Sequence, residues 1–463
     1  MTAIDSAALA ADLSRLLAAD QVSARAGDRA QHARDQSAYP AVTPDVVVWP
    51  RTTADVSAVL AFANARGIPV TAWGAGTSIE GNPIPVRGGI LLSLRQMDAI
   101  LTLHERDFQV TVQPGLLYKD MNKQLARQGL FFAPDPGANA SIGGMLANNA
   151  AGTRTVKYGA TRDNTLALEV VLASGEVIRT GSRSVKQSSG YDLTHLFVGS
   201  EGTLGVITEA TLKLHPIPAH FSAATVAFAT VEAAAAAVFE IIGAGLEPAA
   251  LELLDAVAID ILKAETDLHL HPGPNLFVEF SGASQAALAE TLPALEEICR
   301  EHGALSYQAG VGAGERARLW EARHSVFEAY VRHYPGQSYT VTDASVPISR
   351  YPELIASARS LLDELGVSGG IVSHAGDGNA HVVIFYPGED AAAKAQAMAF
   401  NDRFVARSLQ LGGTITGEHG VGLGKQKFMA REHGPALALM RQIKQTLDPN
   451  GILNPGKVLG QER

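Results

Sequence analysis

Hydrophobic and polar positions along the first 215 residues follow two alternating rhythms. Val46-Val47-Val48-Trp49-Pro50 is a short apolar run that predicts a strand. Val56, Val59, Leu60 and Ala63 then recur at three- and four-residue spacing, which predicts a helix capped by Thr53 and ended by Gly67. Ile68 to Trp73 is the next strand, and the three elements together read as a βαβ unit. A second set follows, with strands at Ile90 to Leu94 and Val110 to Gln113 and a helix from Leu117 to Gln128 stopped by Gly129. Leu166 to Leu172 and Glu176 to Arg179 form a hairpin around Ser174-Gly175. Residues 1–40 are Ala-rich and read as helical.

The rhythm changes near Pro216-Ile217-Pro218. Residues 219–410 alternate Ala-rich helices, such as Val231 to Ile242, with β-rich runs such as Leu276 to Phe280 and Tyr339 to Val346. This reads as a second α+β domain. A chain of 463 residues has room for two or three domains and ample material for a buried core. The 46% hydrophobic and 18% charged composition is that of a globular protein, not a disordered one. A net charge of −10 argues against general nucleic-acid binding, so an anionic substrate needs a local cationic site. Cys299 is the single cysteine, which excludes intrachain disulfides and a protein-ligated iron–sulfur cluster. No apolar run reaches the roughly 18 residues of a membrane span. The first 40 residues lack a signal pattern, and Asp5, Asp12 and Asp20 speak against a transit peptide. The expectation is a cytoplasmic protein, with peripheral membrane attachment through a partner left open.

Three glycine-rich segments stand out. Gly74-Ala75-Gly76-Thr77-Ser78-Ile79-Glu80-Gly81 follows a strand, but a dinucleotide fingerprint needs glycine where Ile79 stands. It reads either as a loop whose N–H groups wrap a pyrophosphate or as an ordinary tight turn. Pro134-Asp135-Pro136-Gly137, Gly143-Gly144-Met145 and Asn148-Asn149-Ala150-Ala151-Gly152 form a long stretch of small residues that lets backbone approach a flat ligand. Gly199-Ser200-Glu201-Gly202-Thr203-Leu204-Gly205 precedes another strand. One such loop is usually a turn; three within one stretch of chain favour an extended cofactor.

Ser373-His374-Ala375-Gly376-Asp377-Gly378-Asn379-Ala380-His381 carries a strong hairpin signal at Asp377-Gly378. A two-residue turn there sets Gly376 opposite Asn379 and His374 opposite His381. Opposed side chains share a face, with Cβ atoms about 4.5–5.5 Å apart. Two imidazoles so placed can grip one metal ion. Gly417-Glu418-His419-Gly420 adds a carboxylate and a third histidine. The alternative is a hydrogen-bonded histidine pair at a hairpin tip. Arg323, within Trp320-Glu321-Ala322-Arg323-His324 in a helical stretch, is either a solvated arginine or a fork for a substrate carboxylate.

Taken together and in this order, these residues resemble the FAD-binding PCMH-type, or vanillyl-alcohol-oxidase-like, flavoproteins. The likeness is strongest to their D-2-hydroxyacid dehydrogenase branch and runs from about Pro44 to Leu459. Asn454-Pro455-Gly456-Lys457 belongs to it as well. The resemblance implies an α+β fold, with a PCMH-type FAD-binding domain over 1–218 (core about 42–218) completed by 411–463, and a substrate or cap domain over 219–410. It implies that Gly74, Ala75, Gly76, Thr77, Ser78, Gly81 and Asn82 form the pyrophosphate loop. Pro134, Gly137, Ser141, Gly144, Asn148, Gly152, Gly202, Gly205 and Ile207 would line the FAD, and Asn454 would meet the flavin. His374, His381 and Glu418 match ligands of a divalent metal, zinc or manganese. His419 matches the catalytic base, and Arg323 the arginine that receives the substrate carboxylate.

Two departures sharpen this reading. Relatives that bind FAD covalently use a histidine in the pyrophosphate loop, and none occurs here between positions 33 and 103, so the FAD is expected to be noncovalent. In the hydroxyglutarate-oxidising members a lysine stands two residues before the aspartate that matches Asp343. Here that position is Val341, which favours a short monocarboxylate such as D-lactate. The expected reaction is metal-assisted oxidation of a D-2-hydroxy acid to the 2-oxo acid, with hydride passed to flavin N5 and electrons to a cytochrome, a quinone-linked partner or an iron–sulfur subunit. Alternatives are a D-2-hydroxyglutarate or glycolate dehydrogenase, a non-redox flavoenzyme of the alkyl-synthase type, or a noncatalytic FAD subunit. A homodimer is left open.

Overall fold

The structure is a computed structural model that describes residues 4–310, 320, 321, 323 and 325–460. Ala322 and His324, within the helical stretch predicted around Arg323, lie outside the described residues. The chain divides into two compact units. One comprises Met1–Ala151, Ala160–Ile217 and Glu418–Arg463; the other comprises Gly152–Gly159 and Pro218–Gly417. The return to the first unit thus falls at Glu418, whereas 411 was expected, and the short segment Gly152–Gly159 belongs with the second.

In the first unit, Ile90-Leu91-Leu92 is apolar without alternation, the pattern of a parallel strand covered on both faces. It takes the inner position accordingly. Strands Val46–Val48 and Val70–Trp73 each pair in parallel with Ile90–Ser93 and flank it, with Val22–Ser23 at the outer edge of this four-stranded sheet. The helix Thr53–Arg66 joins the two flanking strands. Thr52, not Thr53, caps it, because Asp55 stands three residues further on. The Thr52 hydroxyl accepts the Asp55 N–H, and the Asp55 carboxylate accepts the Thr52 N–H. The Thr53 hydroxyl instead donates to Glu169. The chain's far end closes this sheet: Val70 N–H donates to the Ile452 carbonyl and Asn454 N–H to the Val70 carbonyl. A second sheet is antiparallel, in the order Ile100–His104, Gln109–Val112, Val206–Lys213, Thr165–Val171, Val177–Gly181. Its buried Val110, Val112, Leu168 and Leu212 pack with Met121, Leu125, Met145 and Leu146 of two helices.

The second unit is built on one sheet, eight strands among the described residues. The order is Ala304–Ala309, His220–Phe228, Asn275–Gly282, Ala250–Leu254, Gly369–His374, Asn379–Tyr386, Ser338–Val341, with Ala344–Ser345 also on Asn379–Tyr386. Side chains alternate faces along each strand. Leu253, Leu276, Ile371 and Val382 join a core with Val238, Leu295, Leu354 and Phe404 of helices on one side. Their chain neighbours Leu254, Phe277, Val372 and Val383 join another, with Ile259, Leu262, Trp320 and Tyr330 on the other side. The same parity puts Glu252, His374 and His381 on this second face.

Asp255 caps the helix Ala256–Glu265 by accepting the Ala258 N–H. Burial pushes its carboxyl up to about 6, and the N–H groups that donate to it offset this only in part. The folded chain therefore keeps the proton that the unfolded chain releases near its ordinary value. Stability that is present below the unfolded pKa is lost as pH rises through about 6. Asp255→Asn keeps a cap oxygen and removes the titration. It is expected to match the parent near pH 4 and to exceed it above pH 6 by about 2–3 kcal/mol. Urea unfolding of both proteins across this range is the measurement, and parallel pH profiles would refute it.

Candidate active site

The hairpin places its histidines differently from the two-residue turn. The strands Gly369–His374 and Asn379–Tyr386 are joined by a 3₁₀ turn, Ala375–Asp377, followed by Gly378 at φ +76°. Only glycine fits there, since a Cβ would lie 2.2 Å from the Val346 carbonyl oxygen. Register slips by two positions as a result: His374 pairs with Asn379, and His381 with Val372. The histidines become diagonal neighbours on one face, a relation still within reach of long side chains. Their rings meet edge to face at 5.4 Å between centroids, and their ring nitrogens come within 4.8 Å.

Each imidazole is oriented by an acceptor at Nδ1. Glu252 stands directly across from His374 on the neighbouring strand. Its two oxygens lie 2.9 and 3.0 Å from His374 Nδ1. A guanidinium nitrogen of Arg323 is 3.4 Å from the same Nδ1, but the shorter carboxylate contacts decide the tautomer: Nδ1 carries the proton. His381 Nδ1 donates to the Thr342 carbonyl at 3.1 Å. Both rings are thus set with the lone pair on Nε2, the arrangement second-sphere groups impose on metal-binding histidines. Asp343, fully buried, accepts from Asn379 Nδ2 at 2.7 Å and from the Thr416 hydroxyl at 2.6 Å. It thereby anchors the segment that ends at Gly417.

Arg323 is 6% exposed, so it is not a solvated surface arginine. Its Nε donates to Glu252 at 2.6 Å, and a second guanidinium nitrogen pairs with the same carboxylate. Burial alone would raise the Glu252 pKa; the positive charge of Arg323, with the hydrogen bonds from His374 and Arg323, outweighs it and holds the carboxyl below its ordinary range. Arg323, Glu252 and His374 form one buried network.

The first unit gathers most of the expected cofactor-lining segments. A Cβ at Gly74 would lie 2.2 Å from Ser141 Oγ, so the loop and the start of the helix Ile142–Asn148 touch through a bare backbone. Ser141 caps that helix by accepting the Gly144 N–H. Asn454 Nδ2 donates to the carbonyls of Asn82 and Glu201, tying the tail to both the first and third glycine segments. Lys457 Nζ also donates to the Asn82 carbonyl; burial pushes this ammonium down to about 8, against the opposing charges of Glu201 and Asp35. His419 and Glu418 lie in this unit, His419 Nε2 being 3.5 Å from Glu418 Oε1. Asn148 Nδ2 donates to the His419 carbonyl at 3.1 Å. Gly205 makes room for Val170 and Phe197, Ile207 joins the apolar core, and Gly152 belongs to the second unit.

Glu252 and Glu201 were missed in the sequence. Glu252 had a readable signal, a lone acid inside the apolar run Ala249-Ala250-Leu251-Glu252-Leu253-Leu254. Glu201 lay in plain view within a glycine segment, but nothing local shows what its carboxylate accepts.

A parallel sheet closed by the chain's own tail, small-residue loops gathered around it and a second α+β unit define a class: the chain belongs to the FAD-linked oxidases. The pattern described as FAD binding domain matches residues 44–181, and the one described as FAD linked oxidases, C-terminal domain, matches 217–458. Among individual proteins, it is 41% identical to a protein of Danio rerio named probable D-lactate dehydrogenase, mitochondrial, over 95% of this chain and 89% of that one. It is 36% identical to glycolate oxidase subunit GlcD of Bacillus subtilis, over 90% of each chain. Among solved structures, p-cresol methylhydroxylase superposes with a TM-score of 0.78 at 19% identity, covering 98% of this chain and 96% of that one. Alkyldihydroxyacetonephosphate synthase gives 0.75 at 20% identity, over 97% and 85%. These two share the fold. No helix among the described residues is long and apolar enough to cross a membrane.

Proposed function

We propose that this chain oxidises a D-2-hydroxy acid, D-lactate in particular, to the 2-oxo acid. The observation that carries the reading is the pair of imidazoles, each fixed at Nδ1 by a protein acceptor, on a chain of the FAD-linked oxidase family. His374 and His381 fit a divalent ion, since both offer Nε2. Glu418, one residue beyond the anchored Gly417, is the proposed third ligand. A mixed nitrogen and oxygen donor set suits zinc or manganese. When bound, FAD supplies the acceptor for the substrate's C2 hydride, and the divalent ion supplies Lewis acidity toward the 2-hydroxyl.

The protein's own groups do the rest. His419 takes the hydroxyl proton. Arg323 receives the carboxylate, its guanidinium already oriented by Glu252. Val341 pairs with Val383 across the sheet and packs against an apolar cluster, so this position brings no cation for a second carboxylate. The absence of a histidine in the Gly74–Asn82 loop supports noncovalent FAD. Electrons are proposed to leave to a cytochrome or quinone-linked acceptor, because one cysteine cannot ligate a cluster. The name of the Danio rerio protein favours D-lactate over the alkyl-synthase alternative.

Anaerobic mixing with D-lactate is expected to bleach the flavin of the purified protein, and L-lactate is not. A flavin unchanged by every D-2-hydroxy acid tried would rule the reading out. Glu252→Gln is expected to weaken divalent-ion binding by about 10- to 100-fold, the usual cost of losing a histidine's orienting partner. Titration of the metal-stripped protein, followed by elemental analysis after gel filtration, measures this. Parent-like affinity would remove Glu252 from the metal site.

A further inference from the structure

The loop that carries Glu418 and His419 has no regular secondary structure, yet its backbone is held at several points. Glu201 supplies the central ones. Its Oε1 accepts the Val421 N–H at 2.6 Å, and its Oε2 accepts the Gly422 N–H at 2.9 Å. Asn82 Nδ2 donates to the same Oε2 at 2.6 Å. Glu201 is 4% exposed and is itself clamped. Its N–H donates to the Ala147 carbonyl, and its own carbonyl accepts from Asn454 Nδ2. Its backbone is left-handed, at φ +52°, a conformation that non-glycine residues adopt at a cost and keep only where their surroundings enforce it. Gly420 fits against this carboxylate: a Cβ there would lie 2.8 Å from Glu201 Oε1.

We infer that Glu201 is a positioning residue for His419. It fixes the 418–422 backbone through two N–H groups, and it ties that backbone to the Asn82 end of the glycine loop. A simple surface or core role does not need a buried carboxylate whose oxygens are both spent on one catalytic loop. The inference rests on the reading of His419 as the base. A displaced base costs on the order of 100-fold for about 1 Å of misplacement.

The test uses the FAD-loaded protein. Glu201→Gln replaces one acceptor by an NH₂ that faces N–H donors. It is expected to retain FAD and its melting temperature within a few degrees, yet to slow D-lactate-driven bleaching by about 10- to 100-fold. Reduction by dithionite, which needs no base, is expected to stay at the parent rate. Hydrogen–deuterium exchange is expected to speed up at the amides of 419–423 alone. Parent-like bleaching with FAD bound overturns the inference, whatever the exchange shows. If Glu201→Gln loses FAD, Gly420→Ala decides, since it pushes the loop off an intact Glu201. Slowed bleaching with FAD retained supports the inference, and a parent rate or loss of FAD overturns it. His419→Ala separates the two levels: bleaching at the parent rate in that variant removes the reading of the base itself, whatever Glu201 does.

Discussion

His419→Ala is expected to slow anaerobic flavin bleaching by D-lactate about 10²–10⁴-fold, the range that a positioned base contributes. The residue sits in a loop whose carbonyl is held by Asn148 and whose following amides are held by Glu201. Removing the imidazole leaves that backbone intact, so FAD content and melting are expected to stay near those of the parent. The loss is then one of proton transfer, and it is expected to narrow as pH rises and solvent hydroxide substitutes in part. Stopped-flow bleaching from pH 6 to 9 measures both. Bleaching at the parent rate means that another group takes the proton.

Arg323→Ala is expected to act twice. It strands the Glu252 carboxylate, which is fully buried and otherwise paired with Arg323 and His374, and breaking such a pair costs about 3–5 kcal/mol of stability. It also removes the proposed partner of the substrate carboxylate, weakening D-lactate by about 10- to 100-fold for a charged hydrogen bond of roughly 1.5–3 kcal/mol. The double variant Arg323→Ala/Glu252→Gln, compared with Glu252→Gln alone at saturating divalent ion, separates the two effects. Stability is expected to recover in large part, because no charge is left stranded, while the Michaelis constant does not. Arg323→Lys is expected to rescue neither in full, since a point charge lacks the fork that meets Glu252. Substrate affinity unchanged in the stable double variant would make Arg323 a purely structural partner of Glu252.

Much of this was legible in order along the chain. The short apolar runs became strands within a few residues, and Gly67 and Gly129 ended their helices as left-handed caps. The family was readable because its motifs are local strings: the glycine segments, the histidine hairpin and Glu418-His419. The errors were also local. Local pattern puts the cap at Thr53, one residue late, and makes the Asp377-Gly378 pair the whole turn. In the second case a 3₁₀ turn before Gly378 shifts the register by two, an even number, so both histidines stay on the same face.

What the sequence determined by itself is therefore the set of elements and the chemical inventory: which residues bear nitrogen and oxygen donors, and which segments are small enough for a flat cofactor. Periodicity and turn chemistry act over a few residues, and that is their reach. What each donor is for emerges from contacts between residues far apart in the chain. Glu252 and His374 are 122 residues apart and meet because strand order sets them in register. Glu201 and the amides of Val421 and Gly422 meet across about 220 residues because the tail returns to the first sheet. Such pairings follow from how sheets close and cores pack. No local pattern encodes them, and they select the tautomers and the loop geometry on which the proposed chemistry depends.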